Sequence, residues 1–164
     1  MSILYIPVGI SGAGKSTFFS HLKNVSSVSP DEIRRRMGDV SDQSKGYVVF
    51  QRAYKWLERE IAKGNDVYFD ATNLSLKAIK DVIKHVNDDV DVKIILFNDS
   101  ENWEECQKRV KSDISNGVDR AKTHDVIVNG KPLQQIMSEN FTQLKNNPAF
   151  WEYCESRGIE VKEI

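Results

Sequence analysis

The sequence is poor in the residues that build disulfide or metal frameworks. Its two cysteines, Cys106 and Cys154, lie far apart and form no Cys-x-x-Cys unit, so neither a disulfide framework nor a cysteine zinc site is expected. The three histidines, His21, His85 and His124, are scattered, which favours isolated core or surface histidines over a metal cluster. This sparing use of cysteine suits a reducing cytoplasm, which is the host cytoplasm if the gene is phage-encoded.

The sequence also lacks long apolar segments and an excess of basic charge. No apolar run approaches the roughly 20 residues that span a membrane, and the N-terminus shows no basic region or cleavage site. We therefore expect no membrane association and no secretory signal. The formal net charge is −1, whereas proteins that coat nucleic acid by charge alone carry a basic excess. Any contact with nucleic acid is thus expected to be local, at a strand end.

Apolar β-prone runs alternate with helical patterns along the chain. The predicted strands are Ser2–Val8, Val25–Val28, Val67–Phe69, Val92–Phe97 and Ile159–Ile164. The predicted helices are Lys15–Lys23, one that begins at Ser29, Ser44–Lys63, Leu76–Val86, Trp103–Ser115 and Pro132–Asn146. Strand–helix alternation of this kind predicts a single α/β domain over residues 1–164, in which helices cover both faces of a parallel central sheet.

A phosphate-binding motif lies between the first predicted strand and the first predicted helix. Residues Gly9–Thr17 match the P-loop pattern G-x-x-x-x-G-K-[ST] in full. Its glycines let backbone N–H groups turn inward around phosphates without a Cβ clash. Lys15 is expected to reach the β- and γ-phosphates, and the Ser16 hydroxyl is expected to ligate Mg²⁺. The predicted nucleotide-binding residues are Gly9, Ser11, Gly12, Ala13, Gly14, Lys15, Ser16 and Thr17.

A P-loop identifies the ligand but not the reaction. The chain lacks the Asn-Lys-x-Asp motif of regulatory GTPases and is too short for a large ATPase motor. A small kinase remains, which needs a base for the acceptor hydroxyl and cations for transition-state charge. Asp31 and Arg34 lie on one face of the helix that begins at Ser29, and they could supply both groups. On local pattern alone, an acid also suits the first turn of any helix, and Arg34 to Arg36 could form a solvated face.

Three motifs in this order resemble the kinase module of the polynucleotide 5′-hydroxyl kinases, especially the phage type. They are the P-loop, the string Ser29-Pro-Asp31-Glu-Ile-Arg34-Arg35, and the string Phe69-Asp70-Ala-Thr72-Asn73-Leu74. The resemblance is close in the N-terminal part of the chain and rests on element order alone towards the C-terminus. It implies an adenylate-kinase-like fold that uses ATP and Mg²⁺ to phosphorylate the 5′-hydroxyl end of DNA or RNA.

The resemblance also implies roles for individual residues. Asp31 would be the general base on the 5′-hydroxyl, and Arg34 would hold an acceptor phosphate or stabilise the transition state. Asp70 would orient a lid arginine or face the metal, while Thr72 and Asn73 would shape the floor of the site. From the residues alone, Asp70 to Asn73 could instead be an Asx-type turn that closes a strand.

The expected lid departs from the family pattern, which has two closely spaced arginines. Arg109 lies in the expected place, but the next arginine is Arg120, beyond Gly117. We expect one of these two to be the catalytic cation and favour Arg120, because a lid loop can reach the phosphates after closure. The irregular stretch Asn116–Lys131 predicts a lid over about residues 109–131, with a surface insertion as the alternative.

Two other functions stay open at this point. The same fold could phosphorylate a small molecule or a nucleotide, or the P-loop could belong to a nucleotide-binding switch. The Asp31–Arg34 pair argues against a switch, which needs no acceptor base. The near-neutral charge counts against a polymeric substrate, whereas the family-like order of motifs favours one.

Overall fold

Seven strands and seven helices make up the computed structural model, which describes all residues from 1 to 164. The strands are β1 (Ile3–Val8), β2 (Val25–Val28), β3 (Asp66–Phe69), β4 (Asp91–Leu96), β5 (Ile127–Val128), β6 (Lys131–Pro132) and β7 (Glu160–Glu163). The helices are α1 (Lys15–Ser20), α2 (Pro30–Met37), α3 (Gly46–Ala62), α4 (Leu76–Ile83), α5 (Trp103–Ser115), α6 (Leu133–Lys145) and α7 (Pro148–Ser156). No helix combines the length and the apolarity that a membrane crossing requires.

Five of the strands form one parallel sheet in the order β2-β3-β1-β4-β7. The first strand lies at its centre, where Leu4 is in register with Val67 of β3 on one side and with Val92 of β4 on the other. The remaining strands, β5 and β6, pair antiparallel as a separate short hairpin. All five predicted sheet strands are therefore confirmed, and the loops that follow β1 to β4 meet at one edge of the sheet.

Helices cover both faces of this sheet, as the continuous apolar strands predicted. On one face, Leu4 and Ile6 of β1 belong to a cluster of 20 buried residues that also includes residues of α3 and α4. On the other face, a smaller cluster of 6 buried residues joins Ile95 of β4 to Cys106 of α5 and Met137 of α6. The predicted fold class, a P-loop α/β architecture, is confirmed.

Local sequence signals explain how α2 begins at the edge of the sheet. Ser29 directly follows β2, and its hydroxyl accepts a hydrogen bond from the Glu32 N–H at 3.1 Å. Pro30 occupies the first helical position, where the missing N–H costs nothing. This start places Asp31 in the first turn of the helix, next to the carboxyl ends of the strands.

The sequence prediction missed two elements and misplaced three helix ends, one of them the end of α4, which lies at Ile83 rather than at Val86. Helix α7 begins at Pro148, and the hairpin turns at Asn129 and Gly130, with φ values of 50° and 79°. The stretch 116–131 is therefore partly regular. Helix α1 ends at Ser20 rather than at Lys23, and α3 begins at Gly46 rather than at Ser44, whose N–H is bound by Asp42 at 2.9 Å in a local turn.

Candidate active site

The loops that follow strands β1 to β4 line one large cleft of about 1680 Å³. The P-loop follows β1, Asp31 follows β2, and Asp70 and Thr72 follow β3. Parallel strands present their carboxyl ends at the same edge, which is why residues far apart in sequence meet here. The structure thus brings the predicted phosphate-binding residues other than Gly9, together with Asp31 and Arg34, into one cavity.

Neighbouring elements fix the P-loop on several sides. The Gly9 N–H donates to the Thr72 carbonyl at 3.0 Å, and the Ile10 N–H donates to the Ser100 hydroxyl at 3.1 Å. From α6, the fully buried Gln134 donates through Nε2 to the Ser11 carbonyl at 2.9 Å. Sequence reasoning missed Ser100 and Gln134. Ser100 follows the end of a strand, which is a usable signal, but Gln134 gives no local signal within its helix.

The inner N–H groups of the P-loop have no protein partner. Neither Gly12 nor any residue from Gly14 to Thr17 donates a backbone hydrogen bond to another protein group. The Lys15 ammonium lies among them and donates to the Gly9 carbonyl at 2.6 Å and the Ile10 carbonyl at 3.0 Å. An array of unpaired N–H groups around an ammonium suits a phosphate chain, so these residues fit the triphosphate of a nucleotide.

Replacing Gly12 by alanine is expected to disrupt this cradle. A Cβ at Gly12 would collide with the backbone carbonyl of Cys106, and the residue already holds a φ of +85°. Gly117 has nearly the same φ, +84°, but open space around it, so Gly117→Ala is a control for backbone strain alone. We expect Gly12→Ala to weaken the binding of a nucleoside triphosphate by roughly tenfold or more, or about 1.4 kcal/mol, and Gly117→Ala to leave it unchanged in calorimetric titrations. Equal losses in both variants would refute the collision.

The charges at the base of the cleft act strongly on one another. Burial lowers the pKa of the Lys15 ammonium to about 8, and the carboxylates of Asp70 and Asp31 act in the opposite direction. Burial also raises the pKa of the Asp70 carboxyl; the Lys15 charge opposes this rise and the Asp31 charge adds to it. A polyanion next to Lys15 would favour the protonated ammonium.

The affinity for a nucleoside triphosphate is therefore expected to depend on pH in the alkaline range. Below pH 8 Lys15 is already protonated, whereas above pH 8 binding must take up a proton. Affinity should then fall by up to about tenfold for each further pH unit. Calorimetric titrations at pH 9, in buffers of different ionisation enthalpy, measure this uptake directly. The Lys15→Met variant should take up no proton, and equal uptake in both proteins would show that another group titrates.

The acceptor-side pair, Asp31 and Arg34, lies on one face of α2, and the Asp31 carboxylate lines the cleft. Arg34 Nη1 donates to Asp31 Oδ1 at 2.8 Å, with side chains that are 9% and 49% exposed, respectively. The Arg34 guanidinium also lies over the Phe50 ring, 5.9 Å from its centre, and its buried Nε has no hydrogen-bond partner. Arg34 therefore orients Asp31, and it keeps an unused donor.

The two candidate lid arginines hold different positions. Arg109 Nη1 donates to the Gly12 carbonyl and to Asp99 Oδ2, both at 3.1 Å, so it braces the P-loop backbone. Arg120 Nη1 donates to Asp113 Oδ2 at 2.6 Å. Both side chains line the cleft, but only Arg120 is close enough to act on the pKa values of both Lys15 and Asp70.

The residues after β3 divide between the cleft and the layer beneath it. Thr72 lines the cleft, and its carbonyl anchors the P-loop at Gly9. Asn73 is 4% exposed and has a φ of 52°. Its amide donates to the Pro7 carbonyl at 2.8 Å and, more weakly, to the Phe69 carbonyl at 3.3 Å. Asn73 thus joins the ends of β1 and β3 beneath the site and is not among the residues that line it.

The oxygen ligands in the cleft are few, so they can hold a metal ion only together with a substrate. No cluster of three or more His, Cys, Asp or Glu side chains is placed to hold a metal by itself. The exposed hydroxyls of Ser16 and Thr17 and the Asp70 carboxylate line the cavity. Such a sparse set fits Mg²⁺, which kinases bind through one or two protein groups together with substrate phosphates.

Comparison with known proteins identifies the family. A family model described as an AAA domain, AAA_33, matches residues 4–125. The chain belongs to this family. The match runs from β1 through the P-loop, Asp31 and Asp70 to the turn after Arg120. No curated protein matches the chain.

Solved structures share the fold of this AAA_33 domain. A Pnkp1/Rnl/Hen1 RNA repair complex aligns with a TM-score of 0.68 at 22% identity and covers 93% of this chain and 46% of the other. A second Pnkp1/Rnl/Hen1 complex aligns with a TM-score of 0.53 at 26% identity, over 58% of this chain and 35% of the other. A suspected kinase from Chloroflexus aurantiacus J-10-fl aligns with a TM-score of 0.57 at 16% identity, over 99% of this chain and 88% of the other. The chain spans less than half of the first two proteins. Family and fold together support a phosphotransferase with a P-loop kinase fold.

Proposed function

We propose that this chain transfers the γ-phosphoryl group of ATP to the 5′-hydroxyl end of DNA or RNA. The observation that carries the proposal is the Asp31 carboxylate, which is oriented by Arg34 and lines the same cleft as the P-loop lysine. A kinase that acts on an alcohol needs a base for the hydroxyl proton. A nucleotide switch has no use for such a base.

Each group in the cleft has a distinct task in this reaction. The P-loop N–H groups and Lys15 hold the β- and γ-phosphates of the substrate ATP. Asp31 accepts the proton of the incoming hydroxyl, whose oxygen bonds to the γ-phosphorus as the bond from that phosphorus to the bridging oxygen breaks. Arg120 offsets the charge on the transferred group. Mg²⁺, when bound near Ser16 and Asp70, supplies further positive charge at the β- and γ-phosphate oxygens.

The acceptor side is suited to a nucleotide with a phosphate of its own. Arg34 is buried to nine-tenths, it keeps an unpaired Nε, and its guanidinium lies on an aromatic ring. A buried guanidinium with a free donor is a strong binder of a phosphate oxygen. We propose that it holds the phosphate that follows the terminal nucleoside, with Thr72 beside the acceptor and Asn73 supporting the floor from below.

The segment over the cleft is proposed to act as a lid. It runs over about residues 109–131 and contains the end of α5, Arg120 and the β5–β6 hairpin. The likeness to proteins of an RNA repair complex supports a nucleic-acid end as the substrate. A small-molecule kinase is the second candidate, favoured by the net charge of −1.

A transfer assay with a panel of acceptors tests the proposal. The protein is incubated with γ-labelled ATP and Mg²⁺, and with 5′-hydroxyl RNA and DNA oligonucleotides, nucleosides or nucleoside monophosphates in parallel. We expect label on the oligonucleotides and none with Lys15→Ala or after chelation of Mg²⁺. Oligonucleotides that already carry a 5′-phosphate are the matched control. Label on a monophosphate or a sugar alone would contradict the proposal in favour of a metabolite kinase.

A further inference from the structure

Arg35 of α2 reaches across the cleft to the segment that carries Arg120. Its Nε donates to Asp119 Oδ2 at 2.9 Å, and its Nη2 donates to the Asp119 backbone carbonyl at 2.7 Å. A planar guanidinium that binds one residue through both side chain and main chain fixes the direction of the backbone there. Asp119 immediately precedes Arg120.

The same segment is held from α5 on its other side. The Val118 N–H donates to the Asp113 carbonyl at 2.9 Å, and Arg120 Nη1 donates to the Asp113 carboxylate at 2.6 Å. Arg120 therefore lies between two anchors, one on α5 and one on α2. Only the α2 anchor, the Arg35–Asp119 pair, connects it to the helix that carries the acceptor-side residues Asp31 and Arg34.

We propose that Arg35 is a positioning residue for phosphoryl transfer, acting through Asp119 to hold Arg120 beside the phosphate cradle. This inference rests on the proposed function. It gives α2 two roles, because the helix orients the base, Asp31, and also positions the cation, Arg120. Sequence motifs did not single out this role, since Arg35 stands beside Arg34 in a run of three arginines.

The pair is placed to affect geometry rather than stability. The side chains of Arg35 and Asp119 are 37% and 69% exposed, and exposed ion pairs contribute little to the free energy of folding. A displacement of about 1 Å at a reacting group, in contrast, can cost on the order of 100-fold in rate. Loss of Arg35 should therefore lower kcat by about 10- to 100-fold and leave the melting temperature and the KM for ATP nearly unchanged.

A double-mutant cycle with a neighbouring control tests the coupling. Arg35 Nη1 donates to Glu32, and the next residue, Arg36, donates to Glu32 as well, at 3.3 Å, but Arg36 forms no hydrogen bond or ion pair with residues 109–131. We expect Arg35→Ala to lower kcat and Arg36→Ala to leave it unchanged. Arg35→Lys should recover little of the lost kcat, because an ammonium lacks the planar arrangement of N–H groups that binds the Asp119 side chain and main chain together. The Arg35→Ala/Asp119→Ala double variant should be no slower than Arg35→Ala alone. Additive losses, or an equal loss in Arg36→Ala, would overturn the proposal.

Amide hydrogen exchange separates this inference from the proposed function. In Arg35→Ala, peptides that cover residues 117–122 should exchange faster than in the wild type, and in Arg36→Ala they should not. Unchanged exchange in Arg35→Ala would refute the positioning role, whatever the activity. If the wild type phosphorylates no oligonucleotide, the proposed acceptor is wrong. In that case, faster exchange together with slower acceptor-independent ATP hydrolysis in Arg35→Ala would still support the positioning of Arg120.

Discussion

Asp31→Asn is expected to lower kcat for transfer to a 5′-hydroxyl oligonucleotide by about 10²- to 10⁴-fold. Asparagine has the same shape as aspartate, but its neutral amide cannot accept the proton of the attacking hydroxyl. Arg34 lies 2.8 Å from Asp31 Oδ1 and can still bond to the amide oxygen, so the helix and the cleft should keep their geometry. Single-turnover transfer measures the loss, and calorimetry should show unchanged ATP binding.

A nearby acid serves as the control for this substitution. Asp39 lies just beyond α2, where it accepts a hydrogen bond from the Ser41 N–H at 2.8 Å, and it does not line the cleft. Asp39→Asn should therefore transfer phosphate at the wild-type rate. Full activity of Asp31→Asn on oligonucleotides would show that the base is another group.

Arg120→Ala is expected to lower kcat by about 10³-fold or more, the size of effect that a cation on the transferring phosphoryl group has in other phosphotransferases. Stability should change little, because the loss leaves Asp113 unpaired but 45% exposed to solvent. The KM for ATP should change less than kcat, since the charge to be offset grows only in the transition state.

Arg109→Ala should give the opposite pattern. Its guanidinium donates to the Gly12 carbonyl at 3.1 Å, so its loss should loosen the P-loop and weaken ATP binding more than it slows transfer. Steady-state kinetics and ATP titrations on both variants separate the two roles. If Arg109→Ala abolished transfer while Arg120→Ala only raised the KM, the two assignments would have to be exchanged.

Local signals carried most of what the sequence could predict. The P-loop is contiguous, so its residue types and spacing define the cradle without any tertiary information. The cap at Ser29 and the i, i+3 spacing of Asp31 and Arg34 likewise placed both side chains on one helix face. The inner strands β1, β3 and β4 were predictable because each contains an apolar run that is buried in the sheet, whereas most of β7 is exposed.

The missing parts depend on contacts between distant residues or on very short elements. Gln134 meets the P-loop from 123 residues away, and Arg35 meets Asp119 from 84 residues away. The strands of the hairpin are two residues long, too short to show a period of alternation. Asn147 and Pro148 do form a start signal for helix α7. It was missed because it directly follows the helical pattern of α6, which ends at Lys145.

Its contact with Gly12 makes α5 a direct connection between the P-loop and the segment that carries Arg120. Near its start, the Cys106 carbonyl packs against Gly12 and Arg109 binds the Gly12 carbonyl; at its end, Asp113 holds the segment with Arg120. From Cys106 to Ser115 the helix is about 14 Å long, so a tilt of about 4° at the P-loop moves its far end by about 1 Å. Because one helix contacts both the phosphate loop and the segment that carries Arg120, a displacement of α5 at one contact also displaces the other.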